Sequence, residues 1–327
     1  MEKTYMKTGL RFVFAGILSF TLPTLAMAEG WPTKPLTVVV PYGPGGGVDV
    51  FTRPIAAKLS ENLGQPVVVE NRPGAGGIIG VRHAANSSAD GYTLLSGGVH
   101  QPMAEGLYPD REYDLDKDFV PIALTASVPT VLVVTNKAPF KSVKELISYA
   151  KKHPGEVNYC SSGNGTSQHI VGESFKRLTG IDITHVPYRG TAAAMVDLIA
   201  GYCSLMFDGM GTSAPQIRGG KIRPLAVITQ KRSTLFPDIP TVKEAGGPDM
   251  DATIWYGWWA RRGTPQAIVE QLSKGIHAAL QTPSVAETWK QQGAEVPDIP
   301  FSQLDSYVHS EIERWTKTVK ELGISVG

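Results

Sequence analysis

Cysteine is almost missing from this chain, which has Cys160 and Cys203 in 327 residues. Neither stands near a histidine at ligand spacing, so a zinc site is excluded, and no H-x-x-x-H pair or carboxylate cluster makes another metal site. No cofactor is expected. Charge of one sign is lacking too, with 31 Lys and Arg against 30 Asp and Glu. Without a basic stripe or arginine-rich segment there is no expected nucleic-acid partner. Beyond the first residues no segment approaches the ~20 apolar residues that span a bilayer. Nucleotide signatures fail on spacing. GPGGGVD lacks the Lys-Ser/Thr of a P-loop, and the GxGxxA match from Gly209 to Ala214 has no acid about 20 positions on. No G-x-S-x-G nucleophile elbow is expected in the chain. Ser161, Ser162, Ser167 and His169 lie together, but seven histidines make chance triads easy to assemble, so a hydrolase has little support.

The N-terminus carries a signal for export. Lys3, Lys7 and Arg11 form a basic region, Phe12 to Leu22 a short apolar core, and Ala26-Met27-Ala28 an A-x-A cleavage site. Residues 1–28 are expected to be removed, leaving 28 basic and 29 acidic residues in a periplasmic protein. A membrane anchor is the rival reading, and Pro23 interrupts the core at roughly half the needed length. Export permits a disulfide. Cys160 ends EVNYC while Cys203 begins CSLMF, and on parallel neighbouring strands these thiols would sit on the order of 10 Å apart. Two free, buried thiols are therefore expected.

The remaining chain alternates strands and helices, which predicts a parallel, doubly wound α/β sheet. Leu36 to Val50, LTVVVPYGPGGGVDV, runs from an apolar strand through four glycines into a helix continuing to Leu63. Glycines let backbone approach a ligand, and a first helical turn offers N–H groups to an anion. PVVVE and Tyr92 to Leu95 supply further strands, with the glycine-rich NRPGAGGIIG between them suited equally to packing and to ligand contact. The stretch from about Val99 to Pro121 is irregular, and YPDREYDLDKDF reads as solvated surface. Two apolar runs follow, separated by Pro129. A helix capped by Ser142 comes next. EVNYC, SSGNGTSQH and IVGESFKRLTG then repeat the grammar of strand, small-residue loop and helix. Asp208 ends CSLMF at the edge where ligands gather in such sheets. Asp49 suits a helix cap and a ligand contact equally. TIWYGWWARRGTP reads as core or interlobe packing ahead of ligand stacking, and Thr264 with Pro265 as the N-cap and first turn of a helix.

These residues resemble a known family. WPTKPLTVVVPYGPGGGVDVFTRPIAAKLSENLGQPVVVENRPGAGGIIG is similar to the opening of the extracytoplasmic solute receptors of tripartite tricarboxylate transporters, the Bug family. ADGYTLL, HVPYRGTAAAMVDLIAG, LAVITQKRSTLFPDIPTVKEAG and WYGWWARRGTP extend the likeness over the expected mature chain. The resemblance implies a type II-like periplasmic binding protein of two doubly wound lobes with a ligand cleft between them. Lobe one would comprise residues 29–127 and 255–327, and lobe two residues 128–254. It implies a monomer that closes on a small carboxylate and delivers it to membrane transporter subunits, without catalysis. A periplasmic sensor feeding a membrane signalling protein is the alternative. Carried over by position, the ligand residues are Tyr42, Gly46, Gly47, Val48 and Asp49 from one lobe. The other lobe contributes Gly163, Gly165, Thr166, Ser167, His169 and Asp208; Ser96 and Gly98 after the third strand, and Tyr188 with Arg189 in VPYRG, complete the set. The family commonly has Ser or Thr where this chain has Val48. A wall with fewer hydroxyls suits a less polar ligand, tilting the expectation toward an aromatic carboxylate such as terephthalate over citrate.

Overall fold

The computed structural model describes residues 30–324 together with residues 1, 2 and 4, so the expected leader and its cleavage site lie outside the described residues but for those three. β1 (Leu36–Val40) is apolar and β-branched, as suits a strand covered on both faces, and it lies parallel between β2 (Val67–Asn71) and β3 (Thr93–Gly98). α1 (Gly47–Leu63) buries Phe51, Ile55 and Leu59, at the predicted helical spacing, and α2 (Ile78–Ala85) makes the second return. Residues 99–121 are not irregular. They hold α3 (His100–Leu107) and α4 (Leu115–Asp118), short helices that Pro102, Gly106 and a charged sequence conceal from a periodicity search. In the stretch expected to be solvated, Tyr113 and Leu115 are buried and Arg111 pairs with Glu105.

β4 (Phe119–Thr135) runs unbroken through Pro129, where two runs were expected. Then come α5 (Val143–Lys152), β5 (Asn158–Ser161), α6 (Ser167–Thr179), β6 (Thr184–Pro187), α7 (Thr191–Ala200), β7 (Leu205–Gly209), α8 (Met210–Arg218) and β8 (Ile222–Val227). The Ser142 hydroxyl accepts the Glu145 N–H and caps α5 as predicted. β9 (Thr253–Arg261) is the tryptophan-rich segment, and α9 (Gln266–Leu280), α10 (Pro283–Gln292) and α11 (Leu304–Leu322) end the chain. Thr264 is not the cap of α9. Its hydroxyl donates to the Arg261 carbonyl inside the turn, and Pro265 takes the cap position.

The strand order is β2-β1-β3-β9-β4-β7-β5-β6, with β8 also on β4. β4 pairs with β9 up to Pro129 and with β7 and β8 from Thr130 on, so one strand belongs to both halves of the sheet. Pro129 stands at the changeover, where a residue with no N–H to donate costs the ladder least. Trp258 and Trp259 of β9 are buried in the core, as expected of this aromatic run. The C-terminal helices are tied back by Trp255, which donates to Glu311, and by Trp289, which donates to the Thr125 carbonyl.

Cys160 and Cys203 form a disulfide, contrary to the expectation of free thiols, with Cα atoms 6.1 Å apart. β7 begins at Leu205, opposite Tyr159. Cys203 lies before it in a bend whose N–H reaches back to the Asp197 carbonyl, so the chain is not extended there and the sulfur lies beside Cys160. The bridge closes a loop of 43 residues, which the chain-entropy model values at about 4 kcal/mol. Denatured without reductant, the protein should expose no reactive thiol. Cys160→Ser with Cys203→Ser should lower the unfolding free energy by up to that amount in urea titration. Two titratable thiols in the unreduced chain would contradict the bridge.

Candidate functional site

Two sets of parallel strands, β1 with β3 and β5 with β6 and β7, run in opposite senses and deliver their carboxyl ends to one cleft, where they lead into α1, α3, α6, α7 and α8. At four of these helices the N-cap residue is Gly46, Thr166, Gly190 or Gly209, and none of the four caps its helix with a side chain. Glycine has no side chain to offer, and the Thr166 hydroxyl donates to the Gly163 carbonyl instead (2.8 Å). Apart from the Ser167 N–H, which His100 Nδ1 accepts, first-turn N–H groups and the positive ends of several helix dipoles are thus left facing shared space.

That space is a narrow cavity. Tyr42, Gly46, Gly47 and Val48 line one wall, Ser167 and Asp208 the other. Six of the predicted ligand residues are therefore brought together, from both glycine-rich loops. Gly163, Tyr188 and Arg189 line an adjoining, wider space that shares Tyr42 and Ser162 with the first. Among the described residues no Lys or Arg lines the narrow cavity. Tyr256 hydroxyl lies so close to Gly47 that any side chain there would collide with it.

The other predicted residues stand behind the walls. Asp49 is buried and turned inward. Its carboxylate accepts from Arg53 Nε (2.9 Å) and Nη2 (2.8 Å), from Asn71 Nδ2 (2.9 Å) and from the Gly45 N–H (3.0 Å). Burial opposes its ionisation, but the bonds from Arg53, Gly45 and Asn71 outweigh it and hold the carboxyl below its usual range. Asn71 Nδ2 also donates to the Tyr42 carbonyl, so this cluster clasps both ends of the loop. Ser96 shares a hydrogen bond with Thr52 (2.6 Å), whose hydroxyl donates to the Val48 carbonyl. Gly98 is needed because a Cβ would strike the Trp255 carbonyl. In the second loop, His169 Nδ1 accepts the Gly165 N–H (3.1 Å), and its ring stacks on His185. Gly165 packs against Tyr108.

Asp208 lines the cavity but is saturated. Gln168 Nε2 (2.6 Å), Thr212 Oγ1 (2.6 Å) and Ser213 Oγ (2.7 Å) all donate to it, while burial raises its pKa against them. Gln168 accepts the Ser162 N–H at its other end and so fixes the loop after β5. Ser167 Oγ differs: it is buried with no hydrogen-bond partner among the described residues.

The two halves of the sheet touch across the cleft. Tyr108 donates to the Asn164 carbonyl (2.9 Å), and the Ser167 N–H donates to His100 Nδ1 (3.2 Å). His100, Gln168, Thr191, Thr212, Ile254 and Tyr256 all line the cavity and were missed from sequence. Gln168 sits inside the quoted loop and Thr191 at a readable helix start, whereas Tyr256 was hidden in an aromatic run assigned to the core. Contrary to the expectation of none, the sequence holds one literal G-x-S-x-G, Gly323 to Gly327, but Gly323 directly follows α11, whereas a nucleophile elbow follows a strand.

The Asp49 cluster predicts a pH signature. Asp49→Asn should cost about 1–3 kcal/mol of stability at neutral pH. Because the folded pKa is depressed, the wild-type advantage is full above the ordinary value of 3.8 and is lost as pH falls through the folded value. Urea unfolding at pH 7 and at about pH 3 should show the gap closing; an equal gap at both would contradict the ionised cluster.

Comparison with known proteins fits this geometry. The model of the tripartite tricarboxylate transporter family receptor, TctC, matches residues 51–324. Protein BugT of Bordetella pertussis is 39% identical over 298 residues, 90% of this chain and 91% of that one. The structure of the periplasmic binding protein BugD superposes with a TM-score of 0.87 at 34% identity, covering 90% of this chain and all of that one. A Rhodopseudomonas palustris protein solved with adipate gives 0.86 at 39% identity and the same coverage. The chain belongs to the tripartite tricarboxylate transporter family of receptors and is a periplasmic solute-binding receptor of the Bug type, not an enzyme.

Proposed function

We propose that this receptor captures a small carboxylate in the narrow cavity, by closing two lobes on it, and delivers it unchanged to the membrane subunits of a tripartite transporter. Unpartnered Ser167 Oγ carries the reading. A hydroxyl withdrawn from water without a partner costs roughly 1–3 kcal/mol, which a ligand oxygen accepting its hydrogen bond would recover. The uncapped starts of α1, α6, α7 and α8 around it favour an anion over a cation. A cavity without Lys or Arg among the described residues suits recognition by backbone N–H groups and hydroxyls, whose directions select a planar carboxylate. The relative solved with adipate supports the ligand class.

The lobes would be residues 29–127 with 255–327, and residues 128–254, joined where β4 changes partners at Pro129 and where β9 begins. The receptor would work as a monomer after loss of residues 1–28. Val48 lines the cavity as an apolar side chain, and the nearby hydroxyls of Thr52 and Ser96 are spent on each other and on backbone. This supports a less polar acid, an aromatic dicarboxylate such as terephthalate ahead of citrate.

Saturating ligand at one hundred times Kd should add about 2.7 kcal/mol of stability, visible as a melting shift, with the acid recovered unchanged. Ser167→Ala should weaken binding about tenfold, the equivalent of one hydrogen bond to a charged group, without lowering the stability of the unliganded protein. A product accumulating with time, or no shift with any acid of a panel containing adipate, terephthalate and citrate, would overturn the proposal. Citrate binding with none to aromatic acids would remove the Val48 inference alone.

A further inference from the structure

We infer that His100 is a ligand-binding residue of this cavity, donating a hydrogen bond from Nε2 to the bound anion as a neutral imidazole. The inference rests on the carboxylate reading above and adds to it a residue that the sequence did not single out. His100 is the first residue of α3, reached from β3, and its ring lines the cavity opposite the start of α6. Its Nδ1 lies 3.2 Å from the backbone nitrogen of Ser167. A backbone N–H can only donate, so Nδ1 must be the acceptor and cannot carry a proton. In a neutral ring the proton then belongs to Nε2. That Nε2–H has no hydrogen-bond partner among the described residues, although Ser167, whose own hydroxyl also lacks one, is its neighbour. Tyr42 meets the ring edge-on, with centroids 5.1 Å apart at 69°, which restricts its orientation.

The surroundings hold the ring neutral. Burial alone pushes its pKa down to about 4. The other titratable groups of the cavity are Tyr42, Tyr256 and Asp208. Burial pushes both tyrosines up, so they stay uncharged, and the Asp208 carboxylate already accepts from Gln168, Thr212 and Ser213. A neutral donor has a chemical consequence. A histidinium would attract any anion that enters, whereas an uncharged N–H with a fixed direction selects for an acceptor oxygen at one place. It would address the ligand from across the cavity to Ser167 Oγ, on the side of the first lobe that also carries Gly47 and Val48.

The test uses the whole receptor with adipate, terephthalate and citrate as probes, and calorimetric Kd values for the acid that binds most tightly. His100→Asn keeps an acceptor near the Nδ1 position but has no donor at the reach of Nε2; His100→Gln can place an amide N–H there. We expect His100→Asn to weaken binding about tenfold and His100→Gln to stay within about threefold of the wild type, the loss being one hydrogen bond to a charged acceptor. The wild-type affinity should not rise between pH 8 and pH 5.5. Histidine ¹⁵N shifts of the unliganded protein should show the Nε2–H tautomer, a readout that needs no variant. A wild-type Kd for His100→Asn, an affinity that climbs as pH falls through about 6.5, or an Nδ1–H tautomer would each overturn the assignment while leaving the carboxylate reading intact. A wild type that binds none of the acids would overturn both.

Discussion

Every α-helix begins with backbone N–H groups that have no partner within the helix, and a folded protein must place partners for them somewhere. In most helices a Ser, Thr, Asp or Asn side chain supplies one. Here the helices that open onto the cleft start at Gly46, Thr166, Gly190 and Gly209 and receive no such side chain; α2, α9, α10 and α11 also lack one, and what sets the four apart is that their starts share one cavity. Part of the stability forgone at these ends, about 1 kcal/mol for a typical cap, returns where His100 Nδ1 accepts the Ser167 N–H, and the rest is left for something that enters from outside. That convergence links local helix chemistry to the function of a receptor.

Leaving those groups open makes the loops that carry them intrinsically loose, and the polar residues near the cleft answer this. Asp49, gripping Arg53, Asn71 and the Gly45 N–H, holds the first glycine-rich loop. His169 on Gly165, and Gln168 between Ser162 and Asp208, hold the second. Burial would make each of these groups costly if it stood alone, so each is used several times over within the fold. Affinity in such a site comes from preorganisation: the donors already point at the ligand position before the ligand arrives.

The sequence made the α/β alternation and the meeting of two glycine-rich loops readable, because strand runs, helical spacing and loop composition are local properties. What it hid was non-local. Whether Asp49 faces ligand or loop depends on Arg53 and Asn71 converging on it from a helix and a neighbouring strand. His100 and Tyr256 reach the cavity only because β3, β9 and β4 lie side by side, an order no short window reveals. The disulfide was missed for a local reason of another kind: Cys203 lies in a bend and not on the strand that follows it. Pro129 misled in the same way, marking a change of strand partners and not a break.

The two walls of the cavity are backbone-rich, and the central claim concerns backbone N–H groups. Their ¹H–¹⁵N resonances in the intact receptor, followed during titration with adipate and with terephthalate, report on it directly. If uncapped helix starts hold the carboxylate, the largest shifts fall on the amides of Gly47, Val48 and the first turn of α6 beyond Ser167, whose N–H His100 accepts, and they saturate together with binding. Saturable binding that leaves those amides unmoved, and shifts others instead, would contradict the account.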